Sequence, residues 1–313
     1  MKHKNIKIKD LIKEYGLYII LFILVLVFSI FTERFLTFSN LINILKRISI
    51  TGILSLGTLF VIISGGIDIS VGAIAALSSV VMASFLLQID SVIGLVLLLL
   101  SIAVVIGLCV GIIIAKGKVP PIITTLAVLS IIRGALMLVT GGFTVEGLEH
   151  PIIDFIGRSK FLGIPVMVLI MILAYLVSAI ILNKTQFGRY VYAIGGDEEV
   201  CRHSGVPVVR VKVMVYIYAS CMSLLGGVIL CSRLGVGQPT ALEGIELDCI
   251  ASVILGGAIL SGGKGTVLHT FLGVLILGLL INGMNYLNIV TYWQYIIQGL
   301  VILFATLIYS DRR

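Results

Sequence analysis

The chain has 313 residues, of which 59% are hydrophobic and 12% charged, whereas soluble domains average about 45–50% apolar and about 25% charged residues. This composition excludes an ordinary soluble domain, and the apolar residues form successive runs long enough to cross a bilayer, about 17 residues or more. The net charge of +7 fits the orientation of membrane loops better than nucleic-acid binding. We therefore predict an all-α, polytopic helical membrane protein that contacts lipid and no nucleic acid.

About ten transmembrane helices follow from the apolar runs. The first run ends without a small-x-small cleavage pattern, so we expect an uncleaved span. Residues 37–47 form an amphipathic lead-in to the second span, and the glycine-rich stretch 65–72 separates the second from the third. The predicted spans are approximately residues 17–31, 48–64, 73–87, 92–115, 122–140, 164–182, 213–231, 249–260, 267–284 and 293–309.

The lysines and arginines of the short loops predict the orientation, because cytoplasmic loops are enriched in them. With the N-terminus in the cytoplasm, 15 of the 22 basic residues lie inside, among them five in residues 1–16 and the final Arg312 and Arg313, and six lie outside. We therefore predict that both termini are cytoplasmic. The polar segment 184–212 then faces the cytoplasm as well.

Three charges, Asp68, Arg133 and Asp248, lie inside or at the edge of apolar runs, where insertion scales assign a cost of about 2.5–3.5 kcal/mol each at a span centre. They either line a polar path or pair across helices, or the acids lie at helix starts with Arg133 bound by carbonyls. Glycines beside Asp68 favour a broken helix, which is tolerated at depth only against protein or a wet cavity. The residues predicted to line a translocation path are Gly65, Gly66, Asp68, Ser70, Arg133, Asp248 and Asn282.

Few titratable groups lie at mid-depth, and the polar side chains there are mainly hydroxyls and amides. Such a lining suits an uncharged, hydroxylated solute, although the same residue types also serve as ordinary interhelical hydrogen bonders. The side chains concerned are Ser64, Ser70, Thr124, Thr125, Asn282 and Asn285.

Segment 184–212 is the longest polar stretch, and its middle predicts a short helix. Asp197 is a favourable N-cap, Glu198 and Glu199 follow in the first turn, and Arg202 lies in the last, as the helix dipole favours. Gly205 suits the position that ends the helix. A helix of about seven residues is too short to persist alone in water, so we expect it to dock onto another surface; the alternative is a solvated loop between spans.

No catalytic or nucleotide-binding motif is present in the sequence. The phosphate-binding pattern G-x-x-x-x-G-K-[ST] is absent, and the fragment GGKGT at 262–266 lacks its spacing. The five cysteines and four histidines form no paired or metal-binding spacing. We predict that this chain is not an enzyme.

Several motifs occur together and in order along almost the whole chain. They are GGIDISVG (65–72), KVPPIITTLAVLSIIRG (118–134), TGG (140–142), FGRYVYAIGGDEE (187–199), SGV (204–206) and the run from 228 to 265. In these motifs the chain resembles the permease subunits of ATP-binding-cassette importers for monosaccharides of the ribose, xylose and galactoside type.

The resemblance implies a homodimer of permeases in the bacterial cytoplasmic (inner) membrane, with two cytoplasmic ATPase subunits and an external sugar-binding protein. ATP and Mg²⁺ would be held by the ATPase, and this chain, a single transmembrane permease domain over residues 1–313, would bind no cofactor. In that family, the segment that corresponds to residues 188–205 is the coupling region that rests on the ATPase. Family members usually carry Asn at the position of Asp197 and Leu at that of His203. The implied coupling residues are Gly188, Arg189, Ala193, Gly195, Gly196, Asp197, Glu198, Glu199, Arg202, Ser204 and Gly205.

These observations predict import of a ribose-like monosaccharide by alternating access, driven by the separate ATPase. Ribose, another pentose, a hexose, a polyol and a sugar-like signal molecule all remain open as cargo. The main alternative is an ion-coupled secondary carrier that works alone, in which Asp68 or Asp248 titrates.

Overall fold

The structure is a computed structural model that describes residues 8–32, 34–89, 91–146 and 148–310. Within these ranges it contains thirteen α-helices and one two-stranded hairpin, β1 (Lys160–Phe161) with β2 (Ile164–Pro165). The helices are α1 (Ile8–Phe31), α2 (Phe38–Ile63), α3 (Val71–Leu86), α4 (Val92–Ala115), α5 (Pro121–Thr140), α6 (Pro151–Gly157), α7 (Val166–Lys184), α8 (Gln186–Gly196), α9 (Glu198–His203), α10 (Val208–Leu234), α11 (Ile245–Leu255), α12 (Val267–Tyr286) and α13 (Thr291–Ser310). The prediction of an all-α membrane protein is confirmed.

Among the described residues, six helices are long and apolar enough to cross a membrane, namely α2, α4, α5, α7, α10 and α12. Shorter apolar segments lie at Tyr15–Phe31 and Val71–Leu86. Each of the ten predicted spans overlaps a helix, but α11 has 11 residues, about 16 Å at 1.5 Å per residue. That is roughly half of the hydrocarbon thickness, so the count of ten crossings stays a prediction.

Two predicted boundaries differ from the structure. The amphipathic stretch 37–47 is the first part of α2 rather than a separate lead-in, because Thr37 caps one helix that is continuous to Ile63. The seventh predicted span begins five residues too late, since α10 starts directly after Pro207 and includes the basic Arg210 and Lys212. In both cases a helix continues through polar residues at the end of an apolar run.

Helix α10 packs along α2, α3 and α4 at the centre of the bundle. Small residues make this close packing possible, as is common between membrane helices. A β-carbon built on Gly107 of α4 would lie 2.4 Å from the α-carbon of Ile217, and one on Gly111 would lie 2.6 Å from that of Val213. The backbones of α4 and α10 therefore approach each other where only glycine fits.

Replacement of Gly107 by alanine tests this contact. The added methyl group would force α4 and α10 apart, and overpacking of this kind costs about 1–3 kcal/mol. We expect Gly107→Ala to lower the midpoint of thermal unfolding in detergent. Gly134→Ala is the matched control, because nothing lies within 4 Å of a β-carbon at Gly134; an equal effect of both substitutions would contradict the assignment.

Candidate coupling segment and translocation path

The polar segment 184–212 folds into two short helices, α8 and α9, before α10 begins. Helix α8 starts at the N-cap Thr185, whose hydroxyl accepts from the Gly188 N–H at 3.1 Å. The sequence analysis missed α8 and treated its residues as part of a polar loop. The available signal was the spacing of Phe187, Val191 and Ile194, which places apolar side chains on one helix face; Val191 and Ile194 are buried.

Helix α9 spans Glu198–His203, as predicted to within one residue at each end. The Asp197 carboxylate accepts from the N–H groups of Glu199 at 2.9 Å and Val200 at 3.0 Å, which satisfies two donors at the helix start. Gly205 has φ +78°, the left-handed conformation that ends a helix. The cap residues therefore act as the sequence indicated.

Glu198 connects α9 to α10 by ion pairs. Its carboxylate lies 2.8 Å from the Arg202 guanidinium one turn away and accepts a hydrogen bond from the Lys212 ammonium of α10. Partial burial alone would raise the pKa of Glu198, but the hydrogen bonds and charges of Lys212 and Arg202 outweigh it, so the pKa lies below its ordinary value of 4.5. A lowered pKa means that the pair persists at neutral and mildly acid pH and is lost only when the pH falls through that lowered value.

Gly65, Gly195, Gly262 and Gly263, from three distant parts of the chain, meet at the end of α2, and we call them the glycine junction. The Gly263 N–H donates to the Ile63 carbonyl at 2.8 Å. A β-carbon built on Gly195 would lie 1.7 Å from the Ile63 oxygen and 2.5 Å from the Gly263 nitrogen, and one on Gly262 would lie 3.0 Å from the Gly65 α-carbon. Segment 184–212 therefore touches the end of α2 backbone to backbone.

The other predicted coupling residues lie mostly at the surface. Gly188 is buried against the end of α7, where its β-carbon would lie 2.2 Å from the Leu182 oxygen. Val200 is 60% exposed although it is apolar. Polar or small residues of α8, of α9 and of the turn after α9 are exposed as well. They are Arg189, Ala193, Gly196, Glu199, Arg202, His203 and Ser204.

Asp68 lies between α2 and α3, beside the glycine junction. It is 2% exposed, and its carboxylate accepts from the Ser70 N–H at 2.8 Å and the Ser70 hydroxyl at 2.6 Å. The Ile69 N–H donates to the Thr125 hydroxyl of α5 at 3.3 Å. A β-carbon on Gly66 would lie 2.6 Å from the Tyr216 hydroxyl. The broken segment is thus held by α5 on one side and faces α10 on the other.

Arg133 of α5 is satisfied by backbone carbonyls. Its guanidinium donates to the oxygen of Pro239 at 2.6 Å and to that of Ala241 at 2.8 Å. Both carbonyls belong to the loop between α10 and α11. Arg133 therefore holds this loop against α5. This agrees with the alternative, stated in the sequence analysis, that backbone carbonyls bind Arg133.

Asp248 lines a cavity of about 200 Å³ between α2, α10, α11 and α12, which we call the Asp248 cavity. Its carboxylate accepts a hydrogen bond from the Gln298 amide, and Arg47 lines the same cavity. Thr51 and Arg233 also line the cavity. This charged cavity lies beside the N-terminal half of α2, whereas the glycine junction lies at its C-terminal end.

The Asn282 side chain pairs with Asn40 of another helix. The amides of Asn40 and Asn282 each donate to the other at 3.0 Å and so join α2 to α12. The predicted path residues therefore lie in four places: the stretch 65–70, the Arg133 contact, the Asp248 cavity and this amide pair. They do not form one continuous lining, and their part in translocation stays a prediction.

Residues 40–306 match the sequence profile of the family described as the permease component of branched-chain amino acid transport systems. The match covers most of the chain. The chain belongs to this permease family. Together with the relatives below, this match confirms the resemblance to permease subunits of ATP-binding-cassette sugar importers. The chain is a transport permease rather than an enzyme.

Curated relatives of this permease are similar over nearly their whole length. The ribose import permease protein RbsC of Bacillus subtilis is 44% identical over 100% of this chain and 97% of its own. RbsC of Escherichia coli K12 is 38% identical over 94% and 93%, and the L-arabinose transport system permease protein AraH of the same strain is 37% identical over 94% and 89%. No solved structure matches the permease.

Substitution at the glycine junction tests its role in holding segment 184–212. Gly195→Ala would place a methyl group on the Ile63 carbonyl, so we expect the segment to detach and trypsin to cleave it several times faster in the purified permease. Gly196→Ala is the control, since nothing lies within 4 Å of its β-carbon. Equal cleavage rates in the two variants would contradict the junction.

Proposed function

We propose that the permease is the membrane-spanning subunit of an ATP-binding-cassette importer that moves a ribose-like monosaccharide by alternating access. The observation that carries this proposal is the attachment of the short helix α9 to the bundle. Glu198 links it to α10 through Lys212, and Gly195 links the adjoining α8 to the end of α2. A helix held in this way can transmit a displacement that a separate ATPase applies to it.

Sugar is favoured as the cargo by the relatives. The family takes its description from amino-acid transport, but the relatives named above, with 37–44% identity over most of the chain, are named for ribose or arabinose. Both sugars are uncharged pentoses. An uncharged, hydroxylated solute was also the class that the sequence predicted.

The permease is a multi-pass protein of the bacterial cytoplasmic membrane, with ten crossings and both termini in the cytoplasm. Basic residues support this orientation, because Lys184, Arg189, Arg202, Arg210 and Lys212 lie on or near α8 and α9. Residues 1–7 and 311–313, whose basic residues contribute to the same count, lie outside the described residues.

The assembly contains two copies of the permease, two cytoplasmic ATPase subunits and an external sugar-binding protein. ATP and Mg²⁺ are held by the ATPase, and the single permease domain binds no cofactor and no nucleic acid. The ATPase docks on the exposed face around Val200, where an apolar side chain is 60% exposed between basic and acidic neighbours.

ATP binding and hydrolysis shift the permease between its two states only if the ATPase has a different affinity for each. Helix α9 is the element on which that difference acts. Its displacement reaches α10 through the Glu198–Lys212 pair, and α10 contacts α2, α3 and α4. It also reaches the broken segment with Asp68 through the glycine junction.

The Glu198 pair provides a test of coupling. We expect Glu198→Gln to leave membrane insertion unchanged but to lower sugar uptake per ATP hydrolysed several-fold, because α9 can then move without α10. Glu149→Gln, which removes the same charge from an exposed residue outside segment 184–212, is the control. Partial recovery in the exchanged pair Glu198→Lys with Lys212→Glu would support the link; equal coupling ratios in Glu198→Gln and the unaltered protein would refute it.

Reconstitution in vesicles tests the function as a whole. With its ATPase and binding protein, the permease should take up radiolabelled ribose only when hydrolysable ATP is present on the ATPase side. A non-hydrolysable analogue is the control. Uptake by the permease alone, driven by a proton or sodium gradient, would refute the proposal and favour the ion-coupled carrier instead.

A further inference from the structure

Helices α7 and α12 leave a groove between them on the outside of the bundle, and we call it the α7–α12 groove. Its volume is about 260 Å³, and both helices are long and apolar enough to cross a membrane. Its walls are aliphatic and aromatic side chains, among them Tyr175, Ala179 and Phe271. Leu176 of α7 is 58% exposed and Leu268 of α12 is 61% exposed, so the groove is open to whatever surrounds the bundle.

The groove has no free hydrogen-bonding side chain to offer a ligand. Of the described residues that line it, only Tyr175 carries a hydroxyl, amide or charged group, and its hydroxyl donates to the Gly52 carbonyl of α2 at 3.1 Å. The Tyr175 ring contacts the Phe271 ring edge-on, with centroids 5.3 Å apart, which joins the two walls. A polar ligand would lose its hydrogen bonds to water here without replacement, so the groove suits a hydrocarbon chain.

Two exposed lysines lie at the end of the groove where α7 ends and α12 begins. Lys184 is the last residue of α7 and follows the groove residue Ala179 by five positions, about 8 Å along the helix axis. Lys264 lies three residues before α12. The Tyr192 hydroxyl of α8, the helix that follows α7, donates to the Gly265 carbonyl at 2.7 Å, which joins the two sides of this end. Neither lysine forms an ion pair with any of the described residues.

We propose that the α7–α12 groove binds one anionic phospholipid, with an acyl chain along the groove and the headgroup phosphate at Lys184 and Lys264. Such a lipid fits both parts of the site, because its chain needs no hydrogen bond and basic residues between spanning helices attract anionic headgroups. A second copy of the permease would cover the apolar walls but bring no counter-charge to the lysines. The proposed function places this end in the cytoplasm, and only the assignment of the lipid to the cytoplasmic leaflet rests on it.

The lipid would act on the part of the bundle that holds segment 184–212. Lys264 directly follows Gly262 and Gly263 of the glycine junction, and the Gly263 N–H donates to the Ile63 carbonyl at 2.8 Å. Lys184 is the first residue of the segment itself. A phosphate bound to both lysines therefore restrains the junction and the start of the segment together.

Tryptophan fluorescence in vesicles measures the occupancy of the groove. The chain has one tryptophan, so in a Trp293→Phe background Leu268→Trp places a single reporter in the groove. Leu173→Trp is the matched control, because Leu173 is also 61% exposed but does not line the groove. In mixed vesicles, quenching by brominated phosphatidylglycerol and by brominated phosphatidylcholine gives the preference for the anionic lipid. We expect this preference to be at least about threefold at Leu268→Trp and absent at Leu173→Trp.

Removal of the two lysines tests the headgroup contact. Lys184→Gln with Lys264→Gln should abolish the preference for phosphatidylglycerol at the Leu268→Trp reporter, because the counter-charges of the phosphate are lost. Lys116→Gln with Lys118→Gln removes two exposed lysines from the turn between α4 and α5 and should leave the preference unchanged. Equal effects of the two double substitutions would refute the headgroup contact.

Filling the groove gives a second measurement that needs no reporter. Phosphatidylglycerol added to the purified permease in detergent should raise the midpoint of thermal unfolding of the unaltered chain more than phosphatidylcholine does. Ala179→Phe, which places a ring in the groove, should lose most of this difference, and the control Leu173→Phe should keep it. An unchanged difference in Ala179→Phe would refute the site.

Two further outcomes would overturn the proposal. Equal lipid preferences at Leu268→Trp and Leu173→Trp would refute a specific lipid site. Protection of Leu268→Trp from both brominated lipids, with quenching of Leu173→Trp, would show that a second copy of the permease covers the groove instead. These measurements need neither ATP nor sugar, so their failure leaves the proposed function standing. Absence of ATP-driven ribose uptake by the complete transporter would refute the proposed function and leave the lipid site standing.

Discussion

The requirement that every backbone polar group in a bilayer find a partner within the protein governs this structure. The chain leaves the helical conformation between α2 and α3 and again between α11 and α12, and the two breaks come together. The Gly263 N–H donates to the Ile63 carbonyl at 2.8 Å, and Gly195 approaches the same oxygen so closely that a β-carbon would lie 1.7 Å away. Glycines are required there because the three backbones pack directly against one another.

The same junction explains how so short a helix as α9 is held. Six residues cannot form a stable helix alone, and α9 is fixed by its cap at Asp197, by the pair from Glu198 to Lys212 and by α8 before it. One attachment leads to the central helix α10 and the other to the end of α2. A force applied to α9 therefore reaches two parts of the bundle through contacts that do not depend on flexible side chains alone.

The charges that seemed most costly in the sequence are satisfied in the structure, each in a different way. Asp68 accepts two hydrogen bonds from Ser70, Arg133 donates to two loop carbonyls, and Asp248 is held by Gln298. A charge that is satisfied in this way stabilises a contact within the bundle.

Local features could be predicted from the sequence by itself: the apolar runs that became helices, the cap and end of α9, and the family. These depend on hydropathy and on hydrogen bonds between residues a few positions apart. The tertiary structure alone decided the glycine junction, the pairing of Glu198 with Lys212, the burial of one face of α8 and the pairing of Asn40 with Asn282. Such contacts join residues distant in the chain, and they depend on which helices pack together, which no short stretch of sequence specifies.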